Sequence, residues 1–498
     1  MIQQKVTIVT EAGYSFAGFI AGQGLRFLFT LLVAKLLGAE YLGIYALALA
    51  VVQIAEVLAV GGLDAGVLRY VNLYEEGSDR RSALVASALK TTFLYSLPLT
   101  LLLLVFSGSL AYLLNGDKLL QLTLVCYVCS LPFQALIAVG GHAVQGYRKL
   151  RPKIIAGQIL VPGTMLLLTL LVNAVAGHVP ALLFPLPLSM LAAYLWLWRQ
   201  LCAITGVSLK DVWYAETDRM MLRYAKPLML VAVLGMVSHW LDILMLGVYA
   251  GAETVGLYQP AARTAGLVRS VLLAFAGIAA PMFAAMHSRG EIRELERLFR
   301  ILSRWVMLAA IPPGVLLLLL PETVLAFFGD PFAIAAPVLV VLTVAVLVQS
   351  FFGLYDTILQ MTGYSKICFI NGIAGFSAHV LLNALFIPRF GMMGAAAALA
   401  VVYLLLATAR VFQVRVFLGF HAFSFSLLKP VIAGVAAAAA LAAVKPFFDT
   451  LPGAVSFGSG MLLVFVVYIL FVRLMQLEQE ELDVILELFS FIKRTKKV

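Results

Sequence analysis

Charge is what this sequence has least of: only 12% of its 498 residues are Asp, Glu, Lys or Arg, against 63% hydrophobic residues. A chain this poor in charge cannot cover itself with a solvated surface, which excludes a set of water-soluble domains. Polar loops long enough to build a soluble catalytic centre are missing as well. No G-x-x-x-x-G-K-[ST] phosphate loop, H-E-x-x-H, G-x-S-x-G or EF-hand pattern occurs, which excludes the nucleotide, zinc-peptidase, hydrolase and calcium chemistries those motifs carry. No catalytic residue, metal site or cofactor is expected, and the chain is not read as an enzyme. Cysteine is also scarce, with four residues. Cys126 and Cys129 form C-Y-V-C inside an apolar run, without the second pair or histidines that zinc requires, so buried thiols are expected. The first ten residues are polar, and the first apolar stretch runs through Arg26 as a full span rather than as a cleavable leader.

What is present is a succession of apolar segments, each about 20 residues long and able to cross the roughly 30 Å hydrocarbon layer as a helix. Fourteen can be drawn, at about 13–37, 43–67, 82–106, 118–142, 153–176, 179–201, 221–249, 255–281, 301–320, 332–358, 366–388, 391–417, 426–444 and 454–476. The expected fold is an all-α polytopic membrane protein. With the N-terminus placed in the cytoplasm, roughly 28 of the 35 Lys and Arg fall on cytoplasmic connections. The formal charge of +10 is therefore a topology signal, with attraction to anionic membrane lipids, and does not point to nucleic acid. Both termini are then cytoplasmic and the protein is expected in the inner (plasma) membrane.

One stretch occurs twice. LLVAKLLGAEYLGIY (31–45) returns as LMLGVYAGAETVGLY (244–258), with Gly38, Ala39, Glu40, Gly43 and Tyr45 matched by Gly251, Ala252, Glu253, Gly256 and Tyr258 at a shift of 213 residues. The shift also relates Gly77 to Gly290. So long a period means a duplicated half-protein. Six spans separate equivalent points, so the halves are parallel repeats with a cavity expected at their interface. The resulting domains are an N-terminal six-helix lobe (1–202), an interfacial linker (203–220), a second six-helix lobe (221–420), and two extra helices with a basic tail (421–498). Residues 288–304 read as a solvated connector rich in charge pairs, or as a charged helix lying in the membrane interface.

Ionisable residues inside spans cost about 2.5–3.5 kcal/mol each, so they are expected to face a wet cavity or a partner. Arg26 shares a helical stripe with Gln23 and Thr30. Gln53, Glu56 and Asp64 fall within roughly 80° of one another on the second span, at 100° per residue. His239 and Asp242 lie three residues apart on the seventh, Arg263 and Arg269 sit on the eighth, and Gln349, Asp356 and Gln360 share a stripe on the tenth. The repeat sets Arg26 against His239 and Glu56 against Arg269. The arginines fit either salt bridges to Glu56, Asp64 or Asp242, or contact with an anionic cargo. The acids and His239 fit either structural pairing or a change of protonation. Lys35 and Lys90 lie within snorkelling reach of span ends.

LLGAEYLGIYALALAVVQIAEVLAVGGLDAGVLRYV (36–71) and LLNALFIPRFGMMGAAAALAVVYLL (381–405) resemble the polysaccharide-transport (Wzx-type) flippases of the multidrug/oligosaccharidyl-lipid/polysaccharide exporter superfamily, over about residues 10–475. The resemblance implies a two-lobed bundle that alternates between inward-open and outward-open states. It implies a polyprenyl-pyrophosphate-linked oligosaccharide as cargo, moved to the outer leaflet for O-antigen-type surface polysaccharide, with other glycan-assembly proteins as partners. Related lipid II flippases carry cavity arginines on their first, second and eighth helices. Here Arg26 and Arg263 or Arg269 match two of these, while the second helix carries Glu56 and Asp64. Substrate-binding candidates are Arg26, Arg263, Arg269, Gln23, Gln53 and Gln360. Glu56, Asp64, His239, Asp242 and Asp356 are candidates for coupling to H+ or Na+. A cation-coupled multidrug antiporter on the same fold, or a membrane-embedded glycan polymerase, are the competing readings.

Overall fold

A computed structural model describes the backbone of residues 2–75, 78–420, 425–448 and 453–475, and their side chains apart from those of 2–13, 15, 16, 425 and 454. Gly77 of the repeat and the basic tail beyond 475 lie outside the described residues. The described chain is helical, without a strand. Two compact units divide at Gln259 and Pro260.

The first unit runs α1 (Ile2–Leu37), α2 (Ala39–Val60), α3 (Leu63–Val71), α4 (Asp79–Val105), α5 (Ser107–Leu113), α6 (Lys118–Val128) and α7 (Leu131–Gly146). It continues through α8 (Arg151–Ile154), a π-helical turn (Ile155–Leu160), α9 (Val161–Ala176), α10 (His178–Leu183), α11 (Pro185–Thr205) and α12 (Leu209–Tyr214). The first part of α13 (Arg219–Ser288) completes it. At the centre stands α2, which packs on α1, α4, α6 and α7. Its buried residues include Leu42, Leu47, Ala50, Val52, Ala55 and Ala59, which lie all round the helix rather than along one stripe. A helix apolar on every face is stable only inside a bundle or a membrane, and this one has both.

The second unit takes the rest of α13 with α14 (Ile292–Leu319), α15 (Pro321–Ala326), α16 (Ala336–Met361), α17 (Ser365–Leu418), α18 (Leu428–Phe448) and α19 (Gly453–Leu474). Here α14 is the central helix, packed on α16, α18 and α19. Phe283, Phe299 and Tyr355 form edge-on ring contacts at centroid distances of 6.0 and 4.9 Å, closing one core cluster. Residues 292–304 differ from expectation. They are the opening turns of α14, with Ser303 and Arg304 already buried, rather than a separate surface helix. The charge pairs read from the sequence do form, Glu294 with Arg297 at 3.9 Å and Glu296 with Arg300.

Ten described helices are long and apolar enough to cross a membrane, eleven if the bent pair α6 and α7 counts as one span. The sequence reading cuts α13 and α17 into two spans each. At 70 and 54 residues both exceed a bilayer several-fold, and each leaves helical geometry at one glycine, Gly251 and Gly391. Large apolar side chains such as Leu101, Val105, Leu171 and Leu404 stand exposed along the helices, the surface a lipid solvent requires.

The repeat is visible in the backbone. Gly38 has φ 89°, ψ −179° and Gly251 has φ 79°, ψ 177°, a region that only glycine enters without strain. Each ends one helix and starts the next. The matched glycines five residues on meet each other's turn. A Cβ on Gly43 would overlap the Ala252 carbonyl, and one on Gly256 would overlap the Ala39 carbonyl, so the two copies close on each other by a reciprocal contact. The tyrosines repeat as well. Tyr45 packs its ring on Phe29, sixteen residues earlier, at 5.1 Å, and the Tyr258 hydroxyl donates to Asp242, also sixteen residues earlier, at 3.2 Å.

The linker is short and tied down. Ser208 and Asp211 cap α12 reciprocally. Lys90, within snorkelling reach of its span end, donates from Nζ to the Ala215 carbonyl at 2.8 Å, and the Asp218 N–H donates to Ser87 at 2.9 Å. The four cysteines are free thiols, and among the described residues no cluster of His, Cys, Asp or Glu is arranged to hold a metal.

Candidate functional site

Arg26 enters the interior of the first unit because α1 is carved for it. Tyr14, Gly18, Gly22 and Arg26 recur every fourth residue, one face of a helix. Along that face the Arg151 guanidinium lies 4.1 Å over the Tyr14 ring, Ile154 fills the space a Cβ would need at Gly18, and Gln158 fills it at Gly22. This small-xxx-small spacing lets the backbones of α1 and the π turn approach closely. The Arg26 guanidinium then donates from Nη1 to Gln158 Oε1 at 2.7 Å and from Nη2 to the Gly157 carbonyl at 3.1 Å. Thr30, predicted on the same stripe, donates to the Arg26 carbonyl at 3.0 Å. Gln23 is half-buried on α1.

The second predicted stripe is rearranged. Gln53 accepts from the Trp240 indole N–H at 3.1 Å. Glu56 is half-buried on α2. Asp64, however, is not on that helix. Gly61 and Gly62 are both left-handed and end α2, and Asp64 lies in the first turn of α3, so the angular phase that joined it to Gln53 and Glu56 does not carry across. Its charge still acts on Glu56, and also on His142 of α7 and Lys153 of α8. Lys153 donates to Gln145 Oε1 at 2.6 Å. Lys153 is thus a cation within electrostatic reach of Asp64.

On α13, His239 is exposed and its ring meets Trp240 edge-on at 5.2 Å, while Asp242 accepts from Tyr258. These residues belong with Arg26, Gln53, Glu56 and Asp64 in the first unit, whereas Arg263, Arg269, Asp356 and Gln360 belong to the second. Arg263 and Arg269 are half-buried on the later part of α13. Asp356 pairs with Arg410 of α17 at 3.0 Å, and Gln360 is exposed. Arg410, Gln158, His142 and Lys153 were not anticipated. Gly22 and Gly18, one and two turns before Arg26, mark the face of α1 on which another segment packs closely, but not which residue that segment supplies. A separate cavity of about 880 Å³ opens beside the linker, lined by Asp79, Arg80, Asp211, Glu216 and Asp218, and none of the predicted site residues reaches it.

These helices and the Arg26 contacts define a polytopic membrane protein that holds a guanidinium among its helices. Residues 8–287 match the family described as polysaccharide biosynthesis protein, and the chain belongs to that family, as the motifs in 36–71 imply. Among proteins similar to it is a probable low-salt glycan biosynthesis flippase of Haloferax volcanii, 25% identical over 390 residues, covering 77% of this chain and 79% of that protein. A lipid II flippase in an inward closed conformation superposes with a TM-score of 0.75 at 14% identity, over 94% of this chain and 98% of its own. An inward-facing multidrug resistance transporter, described as a MATE family member of the MOP superfamily, superposes at 0.68 and 17% identity, over 80% of this chain and 94% of its own. At these identities the solved structures establish the shared fold, and the cargo has to be argued from the side chains.

Proposed function

We propose that the protein is a flippase that carries a polyprenyl-pyrophosphate-linked oligosaccharide from the cytoplasmic to the outer leaflet by alternating access, in surface polysaccharide synthesis. The observation that carries this reading is the Arg26 guanidinium, held by neutral acceptors, Gln158 and the Gly157 carbonyl, on a membrane-crossing helix. A guanidinium fork pairs with phosphate oxygens through two charge-assisted bonds, and Arg263 and Arg269 add two further half-buried cations. A cavity built for cationic drugs calls for the opposite sign, which is why the fold shared with a multidrug exporter does not decide the cargo. The polyprenyl chain stays in lipid while the head group crosses against prepared polar groups. Gln23, Gln53 and Gln360 are assigned to sugar contacts. Coupling to H+ or Na+ is assigned to Glu56 foremost, because Asp356 is occupied by Arg410.

The test is reconstitution in liposomes with a defined polyprenyl-pyrophosphate oligosaccharide, following its transfer between leaflets. Arg26→Gln is expected to slow transfer by at least tenfold, the equivalent of roughly one charge-assisted bond of 1.5–3 kcal/mol. Transfer that persists unchanged in R26Q, or no transfer by the native chain under any ion gradient, refutes the reading.

A further inference from the structure

The turn that receives Arg26 is not an ordinary stretch of helix. Between α8 and α9 the chain makes a π turn over Ile155–Leu160, and the Val161 N–H donates to the Ala156 carbonyl, five residues back. In α register that N–H would go to Gly157 instead. The next residue, Pro162, has no N–H to give. The Gly157 carbonyl is therefore passed over by both residues that could have bonded it within the helix, and Arg26 Nη2 takes it at 3.1 Å. Beside it Gln158 turns its Oε1 to Nη1 at 2.7 Å, over the surface that Gly22 leaves bare. The π register and the arginine contact support one another, since each supplies what the other lacks.

We propose that Gln158 and the Gly157 carbonyl are a resting dock for the Arg26 guanidinium, from which an anionic phosphate head group draws it, the turn returning to α register as it leaves. This deepens the flippase reading and rests on Arg26 as a phosphate contact. The Gln158 and Gly157 oxygens help to keep the charge satisfied inside the bilayer, where an unsatisfied guanidinium is costly. A phosphate adds the attraction of opposite charge and a two-oxygen fit to the guanidinium fork, neither of which the Gln158 and Gly157 oxygens offer, so the exchange runs toward the ligand. The vacated Gly157 carbonyl is not orphaned, because the Val161 N–H can reach it by a one-residue change of register. Gln158 is thus a positioning residue that sets how readily Arg26 is released.

The experiment uses the full chain in lipid nanodiscs with inorganic pyrophosphate as the probe, its affinity measured by calorimetry. Gln158→Leu removes one acceptor and is expected to tighten binding about fivefold. Gln158→Glu makes the dock anionic and is expected to weaken binding about tenfold or more. Pro162→Ala supplies an N–H that competes for Gly157 and is expected to act in the direction of Q158L. All three effects should vanish in an Arg26→Gln background. A packing role alone would lower thermal stability without moving affinity in opposite directions, and Gln158→Asn, which retracts the acceptor with little change of chemistry, replaces any variant that fails to fold. Equal affinities across the Gln158 variants, with binding lost in R26Q, overturn the dock and leave the flippase reading standing. Absence of pyrophosphate binding by the native chain overturns both.

Discussion

Replacing Gly43 or Gly256 by alanine tests the reciprocal contact between the two copies of the turn. In either case the new Cβ falls inside the carbonyl of the facing copy, Ala252 or Ala39, whereas carbon and carbonyl oxygen need about 3.3 Å. Neither neighbour can rotate away, because each obstacle is helix backbone. The helices must separate by roughly an ångström or more, and overpacking of this kind costs about 1–3 kcal/mol. For a unit of this size that is a fall of roughly 2–4 °C in melting temperature per kcal/mol. Reciprocity makes a sharper claim. Once Gly43→Ala has pushed the helices apart, the space for a second methyl at Gly256 is partly open, so the double variant should cost about 1 kcal/mol less than the sum of the singles. Thermal melting of the four proteins in one detergent closes the cycle. Strict additivity, or single variants as stable as the native chain, refutes the contact.

Gly38→Ala and Gly251→Ala should each cost about 1–3 kcal/mol through backbone strain alone, and Gly251→Asn, which tolerates positive φ only with ψ near the helix value, should not restore stability. The Asp356–Arg410 pair is 17% exposed on the arginine side and 39% on the carboxylate side, so neutralising one partner should cost about 1–2 kcal/mol, less than a fully buried pair, and the double variant less than the sum. Hydrogen bonds from the Ser208 hydroxyl and backbone N–H hold the Asp211 carboxyl below the usual aspartate range. A depressed folded value means that the cap stabilises α12 above that range and is lost as pH falls through the folded value. Protection at 209–214, taken as the amide exchange rate relative to that of an unstructured chain at the same pH, should therefore fall on going from neutral pH to below about pH 4, and Asp211→Asn should remove the dependence.

The fold was legible because its information is local or periodic. Hydropathy marked the helices, and G-A-E-x-x-G-x-Y marked both copies of the turn, which the structure gives the same backbone. The second stripe failed for a local reason that was also legible: Gly61 and Gly62 end α2 before Asp64, and a helical phase has no meaning across such a break. The dock of Arg26 was beyond any local pattern, because Gln158 is 132 residues away and only packing brings it there. Lys90 shows the same limit in reverse. From the sequence it is a lysine near a span end, and only the path of the linker reveals the carbonyl it holds.

The pair of tyrosines that reach back sixteen residues has a consequence for how such a protein diversifies. Tyr45 meets a phenyl ring and Tyr258 meets a carboxylate, yet the turns that carry them share one backbone. Frame and content are thus separable: the duplicated turn fixes where a side chain will stand, and its chemistry is free to be exchanged there. A charge can be written into one copy and left out of the other without redrawing the helices around it.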